Sequence, residues 1–172
     1  MKEYILVIFT ENQVGVLNRI TACYLRRKIN IESLKVSESS IRGISMFVVS
    51  AFIAEDIVDK LAGQIAKIVE VIDVACYTPD ELITQEIALY KVSTKALGDG
   101  RVDMLSRQWN ARLIELSPSF VVIEKTGAHE EINQMRSALE EQKALLDFTR
   151  SGSVVLHRES IEENLRCKIE NG

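Results

Sequence analysis

The hydrophobic and polar positions in the first half of the chain follow two different spacings. In EYILVIFT, residues 3–10, nearly every position is apolar, which predicts a buried β-strand. From about Gly15 the apolar side chains recur at helical spacing, and the cations of Arg26–Lys28 suit the last turn of a helix. The rest of this half is predicted to form a strand at 29–38, a turn around Gly43, a strand at 44–53, a helix at 54–71 and a strand at 71–77.

After a polar stretch the same order of elements begins again. The second half is predicted to form a strand at 86–93, a helix at 100–111, two hairpin strands at 112–117 and 120–127, a helix at 128–142 and a closing strand at 145–158 that breaks near Gly152. Ile132, Met135 and Leu139 are expected to face inward. Two copies of the order β-α-β-β-α-β predict an α+β protein with two ferredoxin-like βαββαβ domains.

The repeat also predicts where the domains begin and end. Each copy is roughly 80 residues long, a common size for a small domain. The polar residues Thr78–Glu81 open a connection between the copies. The chain is therefore expected to divide into a first domain at 1–77, a linker at 78–85, a second domain at 86–158 and a tail at 159–172 that looks like a frayed helix.

The first predicted strand is apolar on both of its faces. Leu6 and Ile8 point to one side, while Val7 and Phe9 point to the other. A ferredoxin-like sheet carries its helices on one side only, so the opposite side of a solvated sheet should be polar. Because the sequence offers no third layer, we expect a second copy of the chain to cover this face in an obligate oligomer.

Composition narrows the classes of protein. The 172 residues are 47% hydrophobic and 27% charged, typical of a globular protein, and the net charge of −4 gives no reason to expect nucleic acid as a partner. The apolar runs are too short for a membrane span or a secretion signal. Cys23, Cys76 and Cys167 lack metal-ligand spacing and are expected to be reduced. These features favour a cytoplasmic protein without a membrane partner.

The candidate ligand site is the first strand-to-helix junction. Gly15 near a helix start lets backbone N–H groups approach a carboxylate, and the positive end of the helix favours an anion. The amide of Asn12 can both donate and accept, which suits a zwitterion. Taken alone, the pattern favours a simple capped turn at residues 12–15. Asn30, at the entry to the second strand, is either a ligand contact or a turn residue, and taken alone its position also favours the turn.

Other chemistry finds little support in the sequence. His129 and His157 have no cysteine or carboxylate at ligand spacing, so they are expected at the surface or at a helix start. No phosphate-binding loop, dinucleotide fingerprint or nucleophile turn is present. An enzyme on this scaffold, such as an acyl phosphatase, would need an arginine cradle and a positioned asparagine, and Arg19 with Asn12 is a poor candidate pair.

Several stretches resemble one protein family. ENQVGVLNRITACYLRRKINIESLKV, residues 11–36, is similar to the opening of the regulatory (small) subunit of acetolactate synthase, with the pattern E-N-x-x-G-x-L-x-R and then N-I-E-S-L-x-V. In the second half EIALYKV, ARLIELSPSFVVIEKTG and FTRSGSVVLHR also resemble that family. The resemblance extends over about residues 3–158, in the same order and spacing. It identifies the first domain as an ACT domain, an amino-acid-sensing module that dimerises through its sheets.

The resemblance implies a subunit with no catalysis of its own. Such a subunit activates a catalytic large subunit and confers feedback inhibition by a branched-chain amino acid, with valine as first choice. Thiamin diphosphate, Mg and FAD would belong to the catalytic subunit, and this chain would carry no cofactor and no metal. The effector would bind in a homodimer formed through the ACT domains, between one copy's Asn12, Gly15, Val16 and Leu17 and the other copy's Asn30 and Ile31. The alternative is a stand-alone amino-acid sensor of this fold, acting on another enzyme or regulator.

The chain departs from the family pattern at a few positions. Lys28 and Ile29 stand where glycine and tyrosine are usual. If the helix end requires a left-handed conformation at Lys28, lysine bears a strain that glycine would not. Asn18 replaces a common serine, and the turn at 39–43 is shorter than usual. These departures bear on the identity of the effector rather than on the fold.

Overall fold

The computed structural model describes residues 1–97 and 101–158. The described residues form two compact units. Residues 1–83 and the segment that starts at Val155 belong to the first unit, and Thr84–Val154 form the second. Each unit contains an antiparallel sheet with helices, which confirms the predicted α+β class with two ferredoxin-like domains. The predicted tail at 159–172 lies outside the described residues.

The first unit contains the six elements that the hydrophobic pattern predicted. They are β1 (Lys2–Glu11), α1 (Val16–Arg26), β2 (Ser33–Glu38), β3 (Ile44–Ile53), α2 (Glu55–Ile65) and β4 (Val71–Tyr77). The strands are ordered β2-β3-β1-β4, and all neighbours are antiparallel. The prediction for α2 was too long, because Ile68 turns back onto the core and the chain then enters β4. The prediction for the second strand was also too long, since only Ser33–Glu38 pairs with β3.

One face of the first sheet forms the main core with the two helices. Leu6 and Ile8 on β1 meet Ile20 on α1 and Leu61 on α2, and all four side chains are fully buried. Removing such aliphatic side chains from water stabilises a fold by about 1.5–3 kcal/mol each. This packing fixes α1 against the sheet, and therefore also fixes the loop that leads into α1.

The opposite face of the same sheet is covered from within the chain. Val7 and Phe9 are each 1% exposed and cluster with Leu82 and Val155, which lie in the same unit. The expectation that no segment of the chain forms a third layer was therefore wrong. The periodic pattern correctly indicated burial on both faces, but it could not reveal that residues distant in sequence supply the cover. Burial of this face alone consequently does not require an oligomer.

The second half of the chain repeats the topology, and its longest strand is β5 with 12 residues. A 3-10 turn at Pro79–Glu81 leads to β5 (Leu82–Ser93), α3 (Thr94–Leu97), α4 (Arg101–Gln108), β6 (Arg112–Leu116), β7 (Phe120–Gly127), α5 (His129–Glu141), β8 (Leu145–Arg150) and β9 (Val154–His157). The strand order is β6-β7-β5-β8, and β9 also pairs with β5. Residues 82–85, which the sequence assigned to a linker, form the start of β5. The predicted break near Gly152 separates β8 from β9.

Three helices end in the same way, with a residue in the left-handed conformation. Lys28, Asn110 and Lys143 have φ angles of 54°, 47° and 52°. After α1, the N–H of Lys28 donates to the carbonyl of Leu25 and the N–H of Ile29 donates to that of Tyr24, which is the Schellman arrangement. Lys28 therefore does adopt the left-handed conformation that glycine would adopt without strain. This cap turns the chain toward Asn30 and β2.

Candidate functional site

Gly15 forms the N-terminal cap of α1 in a conformation that favours glycine. Its φ of 91° and ψ of −10° lie in the left-handed region. A Cβ placed on Gly15 would meet nothing within 4 Å. The requirement for glycine therefore comes from the backbone angle, and the space around the helix start is open to a ligand.

The loop before Gly15 is held by backbone hydrogen bonds from two sides. The N–H of Glu11 donates to the carbonyl of Glu70 at 2.9 Å, and the N–H of Asn12 donates to the carbonyl of Gly43 at 3.0 Å. The first bond attaches the loop to the segment before β4, and the second attaches it to the β2–β3 turn. A rigidly held loop loses little conformational entropy when a ligand binds.

The first turn of α1 is suited to an anion. The first turn contains no acidic side chain at Val16, Leu17 or Asn18. Gly15 has no side chain that could cap the helix. The first N–H groups of a helix have no partner within the helix, and the helix dipole adds positive potential there. A carboxylate at this position would accept hydrogen bonds from these N–H groups, and its negative charge would be stabilised by the positive end of the helix dipole.

The predicted site residues at this end of α1 differ in accessibility. Asn12 is exposed, and Leu17 is 41% exposed, so both side chains can reach a ligand. The side chain of Val16 is 1% exposed and belongs to the core, so only its backbone can line a site. Val14, which the sequence reasoning did not include, is fully exposed beside them.

Asn30 and Ile31 lie at the other end of α1. The helix has 11 residues, which corresponds to a length of about 16 Å at 1.5 Å per residue. Asn30 is exposed and its amide donates to Glu32 Oε1 at 3.1 Å, while Ile31 packs partly against the core. Within one chain, the structure therefore does not bring these two residues together with Asn12 and Gly15.

Sequence reasoning missed the residue that anchors this region. Glu70 is only 8% exposed, and its Oε2 accepts a hydrogen bond from Arg19 Nη1 at 2.7 Å. Arg19 is thereby engaged in an ion pair, which further weakens the case for an arginine cradle with Asn12. A signal was present in the sequence, because Glu70 is a single charge in the otherwise apolar stretch 68–72.

His129 lies at a helix start, as the sequence suggested, whereas His157 lies half-buried in strand β9. His129 is the first residue of α5, and its Nδ1 lies 3.2 Å from Oε1 of Glu86, which also accepts a bond from Ser153. The ring of His157 packs against that of Tyr77, with ring centres 4.9 Å apart and the planes tilted by 38°. Across residues 1–97 and 101–158, no group of three His, Cys, Asp or Glu side chains is arranged to hold a metal ion. In the same ranges, no helix is long and apolar enough to cross a membrane.

Comparisons with known proteins agree over both units. A family model described as an AHAS small subunit-like ACT domain matches residues 6–73, and one described as the small subunit of acetolactate synthase matches residues 85–159. The acetolactate synthase small subunit of Haemophilus influenzae is 29% identical over 156 residues, covering 90% of this chain and 94% of that protein. The one from Aquifex aeolicus is 27% identical over 165 residues, covering 95% and 85%.

A solved structure extends this agreement to three dimensions. The crystal structure of the acetolactate synthase small subunit from Thermotoga maritima superimposes with a TM-score of 0.82 at 26% identity, covering 94% of this chain and 100% of that one. The fold and the match to the ACT-domain model thus define a two-domain α+β protein with an N-terminal ACT domain. The chain belongs to the family of acetolactate synthase small subunits. It is a regulatory subunit, and catalysis resides in a separate large subunit.

Proposed function

We propose that this chain activates the catalytic subunit of acetolactate synthase and makes it sensitive to feedback inhibition by a branched-chain amino acid, with valine as the first candidate. The single observation that carries the proposal is the uncapped start of α1 at Gly15 within an ACT domain. That helix start suits the carboxylate of an amino acid. Thiamin diphosphate, Mg and FAD are assigned to the catalytic subunit, and the complex is assigned to the cytoplasm.

The proposed effector site combines two copies of the chain. Asn12, Gly15, Leu17 and the backbone of Val16 form one wall, and Asn30 and Ile31 of a second copy form the other. The roughly 16 Å length of α1 supports this division, because one chain cannot supply both walls. Backbone N–H groups would bind the carboxylate, amide oxygens the ammonium, and apolar side chains the branched tail.

An antiparallel pairing of two β2 strands is the homodimer that fits this site. β2 lies at the edge of its sheet, and an edge strand presents unpaired backbone groups. In such a pair the two β2 strands would run in opposite directions, so the Glu38 end of one copy would lie beside the Ser33 end of the other. Because Asn12 is bonded to the turn that follows Glu38, this pairing would bring the loop at Asn12 toward Asn30 of the second copy.

The activity test uses the matching catalytic subunit with and without this chain, across valine, leucine and isoleucine. We expect activation by the chain and inhibition by at least one of the three amino acids. One methylene more or less changes affinity by about 1–3 kcal/mol, so the order of potency must be measured. Capture of no thiamin-dependent synthase by the tagged chain would instead favour a stand-alone sensor.

The site is tested by titrating valine onto the purified chain and onto Gly15→Asp. The introduced carboxylate would repel the carboxylate of the ligand, so the variant should bind more weakly. Gly63→Asp is the matched control, because Gly63 lies on α2 in open space and outside the proposed site. Equal binding of valine by the wild type and Gly15→Asp would refute the assignment of the site.

A further inference from the structure

Glu70 makes two contacts that reach both sides of the proposed effector loop. Its backbone carbonyl accepts the N–H of Glu11 at 2.9 Å, just before the loop. Its side-chain Oε2 accepts Nη1 of Arg19 at 2.7 Å, one turn into α1. The carboxylate is nearly buried, with 10% of the side chain exposed, whereas Arg19 is half exposed. One residue therefore spans the start and the end of the segment that would bind the effector.

We infer that Glu70 is a positioning residue for the effector, which it does not touch itself. This inference rests on the proposed function. The ion pair fixes the first turn of α1 relative to the loop, so that the N–H groups after Gly15 already point toward the ligand carboxylate. Preorganisation of this kind increases affinity because less freedom is lost on binding. Charge-assisted hydrogen bonds with low exposure are well suited to that task.

A purely electrostatic role for Glu70 predicts the opposite result. Glu70 is an anion near a site that binds a carboxylate, so removing its charge would leave Arg19 free to attract the ligand. Under that alternative Glu70→Gln would bind valine more tightly and Arg19→Met more weakly. Under the positioning role both variants bind more weakly, since each breaks the same contact.

The experiment measures valine, leucine and isoleucine binding to the full chain by calorimetry. The variants are Glu70→Gln, Arg19→Met, the double variant, and Arg19→Lys, which keeps the cation. The control is Glu124→Gln, which breaks the 2.6 Å pair between Arg112 and Glu124 in the second unit. Each variant is assayed at a temperature where its thermal unfolding curve shows it folded.

We expect Glu70→Gln and Arg19→Met each to weaken binding by about tenfold, or about 1.4 kcal/mol. The double variant should bind no more weakly than the single variant with the lower affinity, because the two residues act through one contact. Arg19→Lys should recover part of the affinity, and Glu124→Gln should bind like the wild type. Hydrogen exchange of the amides at residues 11–17 should be faster in Glu70→Gln, which a role confined to overall stability would not produce.

Two results would overturn the inference. Wild-type or tighter binding by Glu70→Gln would overturn the positioning role alone and leave the proposed function standing. Failure of the wild-type chain to bind any of the three amino acids would overturn both. If Glu70→Gln does not fold, Arg19→Met breaks the same contact from the exposed side. Unchanged hydrogen exchange of the amides at residues 11–17 in Arg19→Met would then overturn the positioning role, because the electrostatic alternative leaves the order of the loop intact.

Discussion

The backbone N–H of Asn12 donates to the carbonyl of Gly43 across 3.0 Å. This bond joins the loop before α1 to the β2–β3 turn, two segments that are about thirty residues apart in the sequence. Gly43 itself has a φ of 82°, so the turn that offers the carbonyl also favours glycine. The loop at the proposed effector site is thus part of the sheet framework.

Replacing Gly15 by alanine should destabilise the first unit by about 1–2 kcal/mol, the cost of a left-handed conformation in an L-residue. No steric clash adds to that cost, because a Cβ at Gly15 meets nothing within 4 Å. The matched control is Gly63→Ala on α2, which should stabilise by about 0.5–1 kcal/mol because glycine is unfavourable inside a helix. Urea unfolding followed by circular dichroism measures both changes, and equal effects would contradict the backbone explanation.

Lys28→Gly should stabilise the chain, although it removes a side chain. The left-handed conformation costs lysine about 1–2 kcal/mol. Glycine also has more conformational freedom in the unfolded chain, and this offsets about 0.4–1 kcal/mol of the stabilisation gained by removing the strain. Lys143→Gly should behave alike in the second unit, where Trp109 fluorescence can follow unfolding. Asn110→Gly should gain less, because asparagine tolerates this conformation, and a uniform gain at all three positions would contradict the argument.

Val155→Asp should strongly destabilise the first unit, because it places a carboxylate among the apolar residues beneath the sheet. Val155 is 8% exposed and clusters with Val7 and Phe9. Burying an unpaired charge is among the few changes that cost several kcal/mol. Leu156→Asp is the control, since that neighbour is 66% exposed. Similar melting temperatures for the two variants would show that β9 does not cover the sheet.

Tyr24→Phe should leave stability unchanged or raise it by up to about 1 kcal/mol, because a buried hydroxyl without a partner carries a desolvation cost. Tyr24 is 1% exposed, and within the described residues its hydroxyl has no hydrogen-bond partner. Tyr90→Phe provides the contrast, since the Tyr90 hydroxyl donates to the carbonyl of Ile132 at 2.8 Å. That change should destabilise by about 1 kcal/mol. Chemical denaturation of both variants tests the difference in sign.

Stability should fall as the pH rises from about 9 to about 11. Burial, with a smaller contribution from the nearby charge of Asp59, raises the pKa of the Cys76 thiol from 9.0 to about 11. In that window the unfolded chain loses the proton while the folded chain keeps it, so the stabilisation present below pH 9 is lost. Cys76→Ala should show a shallower decline, and an unchanged decline would exclude this thiol as a cause. Alkylation of Cys76 at pH 8 should likewise be slow in the folded chain.

The sequence by itself determined the local structure of this protein. The continuous apolar run along β1 and the helical spacing along α1 are set by neighbours a few residues apart, so both could be predicted. The left-handed turn at Lys28 has an equally local cause, because a helix that must turn sharply back to a strand needs that conformation at its end. The length of α2 was not, since its end depends on Ile68 reaching the core.

Only the tertiary structure decided which distant residues meet. Leu82 and Val155 cover the far face of β1, and Glu70 accepts a hydrogen bond from Arg19. Nothing in the spacing of the sequence relates these positions. Hydrophobic periodicity reports that a face is buried but carries no information about what buries it. That choice is made by packing between elements far apart in the chain, where shape and charge must match at once.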